Sequence, residues 1–307
     1  MQDPNYLESF EDEITLVELF KILFAGKWTI IFTTAVASVF IVFYSLSLPN
    51  IYRSEALLTP VAAENSLSGA LESLGGLGAL AGNILPAEAS DSNSAKAMEK
   101  VASLSFFEKK ILPQIYLPNL MAVKSWNART NKVTYDDEVF DLESNTWTRD
   151  YAFPQTPVPS AQESHRAFLK HLDVAKDMKT GFVTFAVEHQ SPYIAEKWAS
   201  MVVSEINSFY SQKDKVEGEA SINYLTEQVA RTGYTEIRKV IADLAQREMQ
   251  KMTLIEATEY YVFDVIDPPV VMEKKSSPAR ATICIIGAIL GGIIGVIIVL
   301  LRHYLRS

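Results

Sequence analysis

The sequence holds one cysteine, Cys284, and four histidines, so a Cys/His cluster for zinc or an iron–sulfur centre has no ligands to draw on. His165 and His171 lie six residues apart on a predicted helix, about 120° around it from each other, and cannot share a metal; His189 and His303 stand alone. G-x-x-x-x-G-K-[ST], H-E-x-x-H and G-x-S-x-G are all missing, which leaves no phosphate loop, zinc-peptidase helix or nucleophile elbow. No catalytic, cofactor-binding or metal-binding residue is assigned, and no enzymatic activity is expected. A basic stretch is missing too, and the net charge of −9 gives nothing for nucleic acid to bind. The most informative absence is local: residues 28–48 and 281–301 contain no Asp, Glu, Lys or Arg.

About 20 apolar residues rising ~1.5 Å each cross the ~30 Å hydrocarbon core of a bilayer, so both runs read as transmembrane helices. A cleaved signal peptide fits the first run poorly, because the run is too long and is preceded by acidic residues rather than basic ones. Residues 1–27 and 302–307 are too short to bury a core, so a kinase or chemoreceptor output domain is not expected there. The work falls to residues 49–280, which carry 24 basic and 31 acidic residues, a net −7. Orientation is undecided by charge: Lys21, Lys27, Arg302 and Arg306 on the short ends balance Arg53, Lys274, Lys275 and Arg280 on the loop flanks.

Ile14, Leu16, Val17, Leu19, Phe20, Leu23 and Phe24 recur at helical intervals before the first span. They form either an amphipathic helix on the membrane surface or a plain extension of the span. Trp28 and Tyr44 suit its two interfaces. Ile51–Leu58 reads as a strand, followed at 62–95 by an Ala/Gly/Ser/Asn-rich stretch. Gly76-Leu77-Gly78-Ala79-Leu80-Ala81 within it fits a loose dinucleotide fingerprint but lacks the flanking strand and helix, so a flexible loop is expected. A helix is predicted over 94–112, ending before Pro113, and 113–159 reads as irregular with short strands. Asp136-Asp137-Glu138 reads as a solvated turn, because adjacent carboxylates on one segment do not converge on an ion. Ser160 and Glu163 form a capping box for a helix to about 171.

Gly181–Glu188 is the clearest strand, and Ser191-Pro192 opens a helix through Ala195, Trp198, Val202, Ile206 and Phe209. A strand followed by a packed helix is the core of an α+β domain. Residues 211–258 are charged and helix-prone with a narrow apolar stripe, broken only near Thr232-Gly233. They make either a hairpin folded at Gly233 or one long helix packing against neighbouring copies. Residues 259–267 read as a strand, stopped by Pro268-Pro269, and Ser277-Pro278 as a cap for the second span. Gly287, Gly291 and Gly295 lie four apart on one face of that span, which allows close helix packing; Cys284 reads as a small packing residue.

These pieces, in this order, resemble the Wzz polysaccharide co-polymerases, which regulate O-antigen chain length. Asp12-Glu13-Ile14, Leu16-Val17-Glu18-Leu19 and Gly26-Lys27-Trp28 are similar to the segment before the family's first span. Pro49 with Tyr52–Ala56 resembles its exit strand, and Gly181-Phe182-Val183 with Ser191-Pro192 and Ala195 its strand-to-helix junction. Most specific is Val265–Val271, containing Asp267, Pro268 and Pro269, with Glu273–Pro278 leading into a glycine-rich span. Met272 stands where the family usually has another proline.

The resemblance implies cytoplasmic segments at 1–27 and 302–307, spans at 28–48 and 281–301, and a periplasmic loop at 49–280. Within the loop it implies an α/β base (49–210 and 259–280) and an extended helical region (211–258), giving an α+β fold in a bacterial inner-membrane protein. The kinase-fused members carry a nucleotide-binding domain after the second span, and with six residues following it here the kinase-bearing class is not expected. Implied partners are other copies in a ring-like homo-oligomer, a membrane polysaccharide polymerase, the growing glycan and the bilayer. The expected role is non-enzymatic control of surface-polysaccharide length; the alternatives are a two-span exporter subunit or a periplasmic ligand sensor.

Overall fold

The computed structural model describes residues 16–61, 88–258 and 260–305, and the chain divides into two compact units. Asp12-Glu13-Ile14, the glycine-rich 75–82 and Arg306 lie outside the described residues. The first unit takes Met1–Asn50 and Ser276–Ser307. A helix over Leu16–Ala25 stops at Gly26, and the first span follows as Lys27–Ser47. The second span, Arg280–Tyr304, packs along it. Their mean hydropathies are 2.0 and 3.0, and both are long and apolar enough to cross a membrane. Thr33, Thr34 and Ser38 turn their hydroxyls back onto carbonyls three or four residues earlier, so these polar groups are satisfied inside the helix.

The second unit, Ile51–Lys275, is the α+β domain. In chain order its strands are β1 (Tyr52–Pro60), β2 (Val123–Asn127), β3 (Lys132–Tyr135), β4 (Phe140–Asp141), β5 (Thr146–Trp147), β6 (Leu172–Lys176), β7 (Val183–His189) and β8 (Phe263–Asp267). The main sheet has the order β6-β7-β1-β8, with antiparallel neighbours throughout. Ser54, Ala56 and Leu58 of β1 are buried on one face, together with Val183, Phe185 and Val187 of β7. The long helix Pro192–Arg231 covers the sheet with Ala195, Trp198, Ala199, Val202 and Ile206. The opposite face carries charge: Arg53 reaches Asp173 at 2.8 Å and Glu188 at 3.4 Å. Gly181 precedes β7 at φ +75°, where a side chain would be strained; the turn is held by the Asp177 carboxylate accepting from Lys179 N–H.

Several sequence expectations needed correction. The helix predicted over 94–112 begins at Glu88, ends at Val101, and resumes as a short α, π and 3₁₀ succession over Leu104–Gln114. Pro113 sits inside the last of these turns, where its missing N–H costs little. The run Ser90-Asp91-Ser92-Asn93-Ser94 concealed the start of that helix, since Ser, Asp and Asn are weak helix formers. The capping box at Ser160 and Glu163 is present, but its helix ends at Phe168 rather than near 171. The strand expected from 259 begins at Phe263. Ser277-Pro278 does not cap the second span, whose N-cap is Ala279. Residues 113–159 contain two small hairpins, β2-β3 and β4-β5, and Asp136 lies in the turn between them.

Asn207 is the buried polar centre of the domain. Its Oδ1 accepts the backbone N–H groups of Tyr261, Val262 and Phe263 at 2.8–3.1 Å, and its Nδ2 donates to Val203 O and Phe263 O. Asn207→Leu strands the buried N–H groups of Val262 and Phe263, each worth about 1–3 kcal/mol, and the half-buried one of Tyr261. The expected loss is at least ~2 kcal/mol, read by chemical denaturation of the full chain in detergent.

A second polar device answers to acid. Arg149 pairs both oxygens of Glu163 at 2.9 and 3.1 Å while also donating to Thr156 O and Pro157 O, so it clasps the 149–160 loop. Arg149 and the Ser160 N–H hold the Glu163 carboxyl down at about 2. Burial holds His189 at about 4. The folded state refuses a proton at both sites, while the unfolded chain accepts one at His189 below its ordinary 6.5 and one at Glu163 below 4.5. Thermal stability should therefore be level between pH 7 and about 9, fall below 6.5 and fall further from 4.5 toward 2. Glu163→Gln should remove the lower part of that decline.

Candidate functional site

Three features concentrate the sequence-predicted residues. In the first unit, Gly287, Gly291 and Gly295 are all buried against the first span. A Cβ on Gly287 would lie 2.6 Å from Ile41 Cγ1, and one on Gly291 2.6 Å from Ala37 Cβ. A Cβ on Gly295 would meet Ile30 Cα at 2.9 Å and the Thr33 hydroxyl. The glycines thus let two helix backbones of the same chain touch. Gly292, one residue off the seam, has nothing nearer than 3.6 Å.

Arg280 closes this pair at one end. Its guanidinium donates to Ser45 O at 3.1 Å and to Leu48 O at 3.2 Å, satisfying carbonyls that the end of the first span leaves open. The sequence reading counted Arg280 only as a flanking charge; the signal available was a lone arginine opening an uncharged run.

The second feature is the helical hairpin. The long helix, about 60 Å at ~1.5 Å per residue, runs unbroken from the sheet to Arg231. Thr232-Gly233-Tyr234 turns the chain, and a return helix over Thr235–Ala257 packs back against it. Of the two arrangements left open by the sequence, the hairpin is the one adopted. Lys215 pairs with Glu256 at 2.7 Å, and Gly218 is buried beneath Met252, whose Sδ lies 2.6 Å from where a Cβ would stand. Tyr261 donates its hydroxyl to Asp214 at 2.5 Å, and burial with this bond pushes the phenol well above its usual range. On the return helix Ile237, Val240 and Leu244 are 50%, 59% and 45% exposed at three- and four-residue spacing.

The third feature is the strand end at Asp267-Pro268-Pro269. Asp267 closes β8 opposite Leu57, and the two prolines line a groove of about 350 Å³ with Ser200, Ser204, Ser208 and Tyr260. Pro278 belongs to the first unit. The Ser54 hydroxyl donates to Val270 O at 2.8 Å, fixing the chain just after the prolines.

The histidines differ from their sequence reading. His189 does not stand alone: its ring lies 5.9 Å from that of His171 and 5.2 Å from Trp198. Its Nε2 bonds Asn119 O and its Nδ1 accepts from Ser191 N–H, so both nitrogens serve the fold. No group of three metal-ligating side chains occurs among the described residues.

Residues 12–103 match the family described as Wzz, chain length determinant protein. This stretch includes the first long apolar helix, β1 and the helix Glu88–Val101. Among solved structures, a full-length bacterial polysaccharide co-polymerase is 14% identical, with 95% of this chain and 98% of that one covered at TM-score 0.40. A fragment of WzzB, a polysaccharide co-polymerase from Salmonella Typhimurium, is 13% identical, covering 74% of this chain and 100% of that one at TM-score 0.34. No curated relative matches.

The glycine seam gives a paired expectation. Gly291→Leu should separate the two spans while the α+β domain stays folded, whereas Gly292→Leu should be near neutral. Thermal melting of each variant in detergent, followed separately by far-UV signal and by tryptophan fluorescence, checks it.

Proposed function

We propose that this chain sets the length distribution of a surface polysaccharide, O-antigen in the first instance, as a non-enzymatic scaffold in a bacterial inner membrane. The observation that carries the reading is the match of residues 12–103 to the chain length determinant family. The reading puts both termini in the cytoplasm and residues 49–280 in the periplasm. Copies assemble beside a membrane polymerase, with the hairpins extended from the bases. Support for assembly comes from the Ile237, Val240 and Leu244 row, since an exposed apolar stripe at helical spacing fits a helix of a neighbouring copy. The spans and Gly287, Gly291 and Gly295 then hold each copy as one two-helix anchor. Extension stops within a preferred range when the assembled hairpins act on the polymerase or on the glycan.

Removing the chain from its host and resolving the surface polysaccharide by length tests this. A broadened distribution is expected; an unchanged one refutes the reading, and complete loss of surface glycan points to an exporter subunit instead. Val240→Lys, at an exposed position, should leave the fold intact, shrink the oligomer in detergent and broaden the distribution on the same gel.

A further inference from the structure

The domain carries net negative charge, yet three lysines line one shallow, open hollow. Lys96 and Lys100 stand one turn apart on the helix Glu88–Val101, and Lys176 ends β6. They rim a cleft of about 620 Å³ whose wall includes Met98 and Tyr210, with Glu99 the single carboxylate among its lining residues. Like charges one helical turn apart repel each other, so the pair works against the helix that carries it. Lys100 has structural reasons for its place: it lies in the helix's last turn, donates to Ser105 Oγ at 2.8 Å and sits 5.0 Å from the centre of the Phe209 ring. Lys96 is exposed, and no structural partner accounts for it among the described residues. Tyr210 is half-buried, and its hydroxyl makes no hydrogen bond among the described residues.

A cationic rim selects an anion, and an aromatic and thioether wall selects something with an apolar face. Inorganic phosphate satisfies only the first condition. A pyranose ring bearing a carboxylate satisfies both, with its C–H face on Tyr210 and its carboxylate toward Lys96 and Lys100. We propose that this cleft is a binding site for an acidic saccharide, a hexuronate-bearing segment of a glycan. The choice of a glycan over another apolar anion rests on the proposed function, while the charge and shape of the cleft do not.

Calorimetric titration of the full chain in detergent with tetragalacturonate, maltotetraose and inorganic phosphate tests the site. Saturable binding of tetragalacturonate is expected, weakening as salt is raised because the contacts are exposed. Lys96→Ala should cost about tenfold in affinity at an unchanged melting temperature, and Tyr210→Leu should weaken tetragalacturonate more than phosphate. Glu99→Gln should tighten binding, a gain that misfolding would not produce. Equal binding of maltotetraose, phosphate bound as tightly as tetragalacturonate, or no binding would each overturn the proposal. An unchanged glycan-length distribution after deletion would instead refute the proposed function and leave the measured site standing.

Discussion

The side chain of Asn207 holds together two parts of the domain that are distant in sequence. Without it, the three backbone N–H groups that lead into β8 would face the underside of the long helix with no acceptor, two of them buried away from water. The amide meets that demand and returns two hydrogen bonds, one to its own helix and one to β8. Beside it, Phe263 packs edge-on against Phe185 of β7 at 5.3 Å, so polar pin and aromatic contact set the same register. Where β8 begins decides where it ends, and its end places Asp267, Pro268 and Pro269.

The same helix that carries Asn207 also becomes the extended arm. Residues 192–207 bury Trp198, Val202 and Ile206 in the core, while beyond Tyr210 burial falls away until Gly218 meets the return helix. A helix polar on nearly every side is poorly stable alone, and Lys215–Glu256, Tyr261–Asp214 and the Gly218–Met252 contact supply what the sheet no longer covers. The arm is therefore stitched most firmly at its base, near Asp214 and Glu256, and exposes most apolar surface toward Tyr234, Ile237 and Val240.

Features written in local periodicity were legible from the sequence. The uncharged runs became the two long apolar helices, and Gly181–Glu188 with Ser191-Pro192 became β7 and the long helix. What escaped was decided by contacts between distant segments. Nothing near Asn207 distinguishes it from a surface asparagine, because the N–H groups it accepts from lie more than fifty positions away. The same holds for Arg280 and Ser45, for His171 and His189, and for Lys176 beside Lys96. The hairpin was half legible: Gly233 marked a break, but whether a helix bends back there depends on a buried Gly218, an ordinary-looking glycine in a charged stretch. The seam glycines were read by spacing; that they lie against their own chain came only from the packing.

The continuity of the long helix has a mechanical corollary. From Asn207 to Arg231 it contains no proline, and Gly218 is backed by Met252, so bending is confined to gentle curvature. A rigid rod of that kind is a lever. A tilt of about 5° pivoting at Asn207 sweeps the far end, roughly 36 Å away at ~1.5 Å per residue, through about 3 Å. That is comparable to a side-chain contact distance, so a rotation too small to disturb the sheet is enough to make or break an engagement at the tip. The fulcrum of that lever is a single amide group.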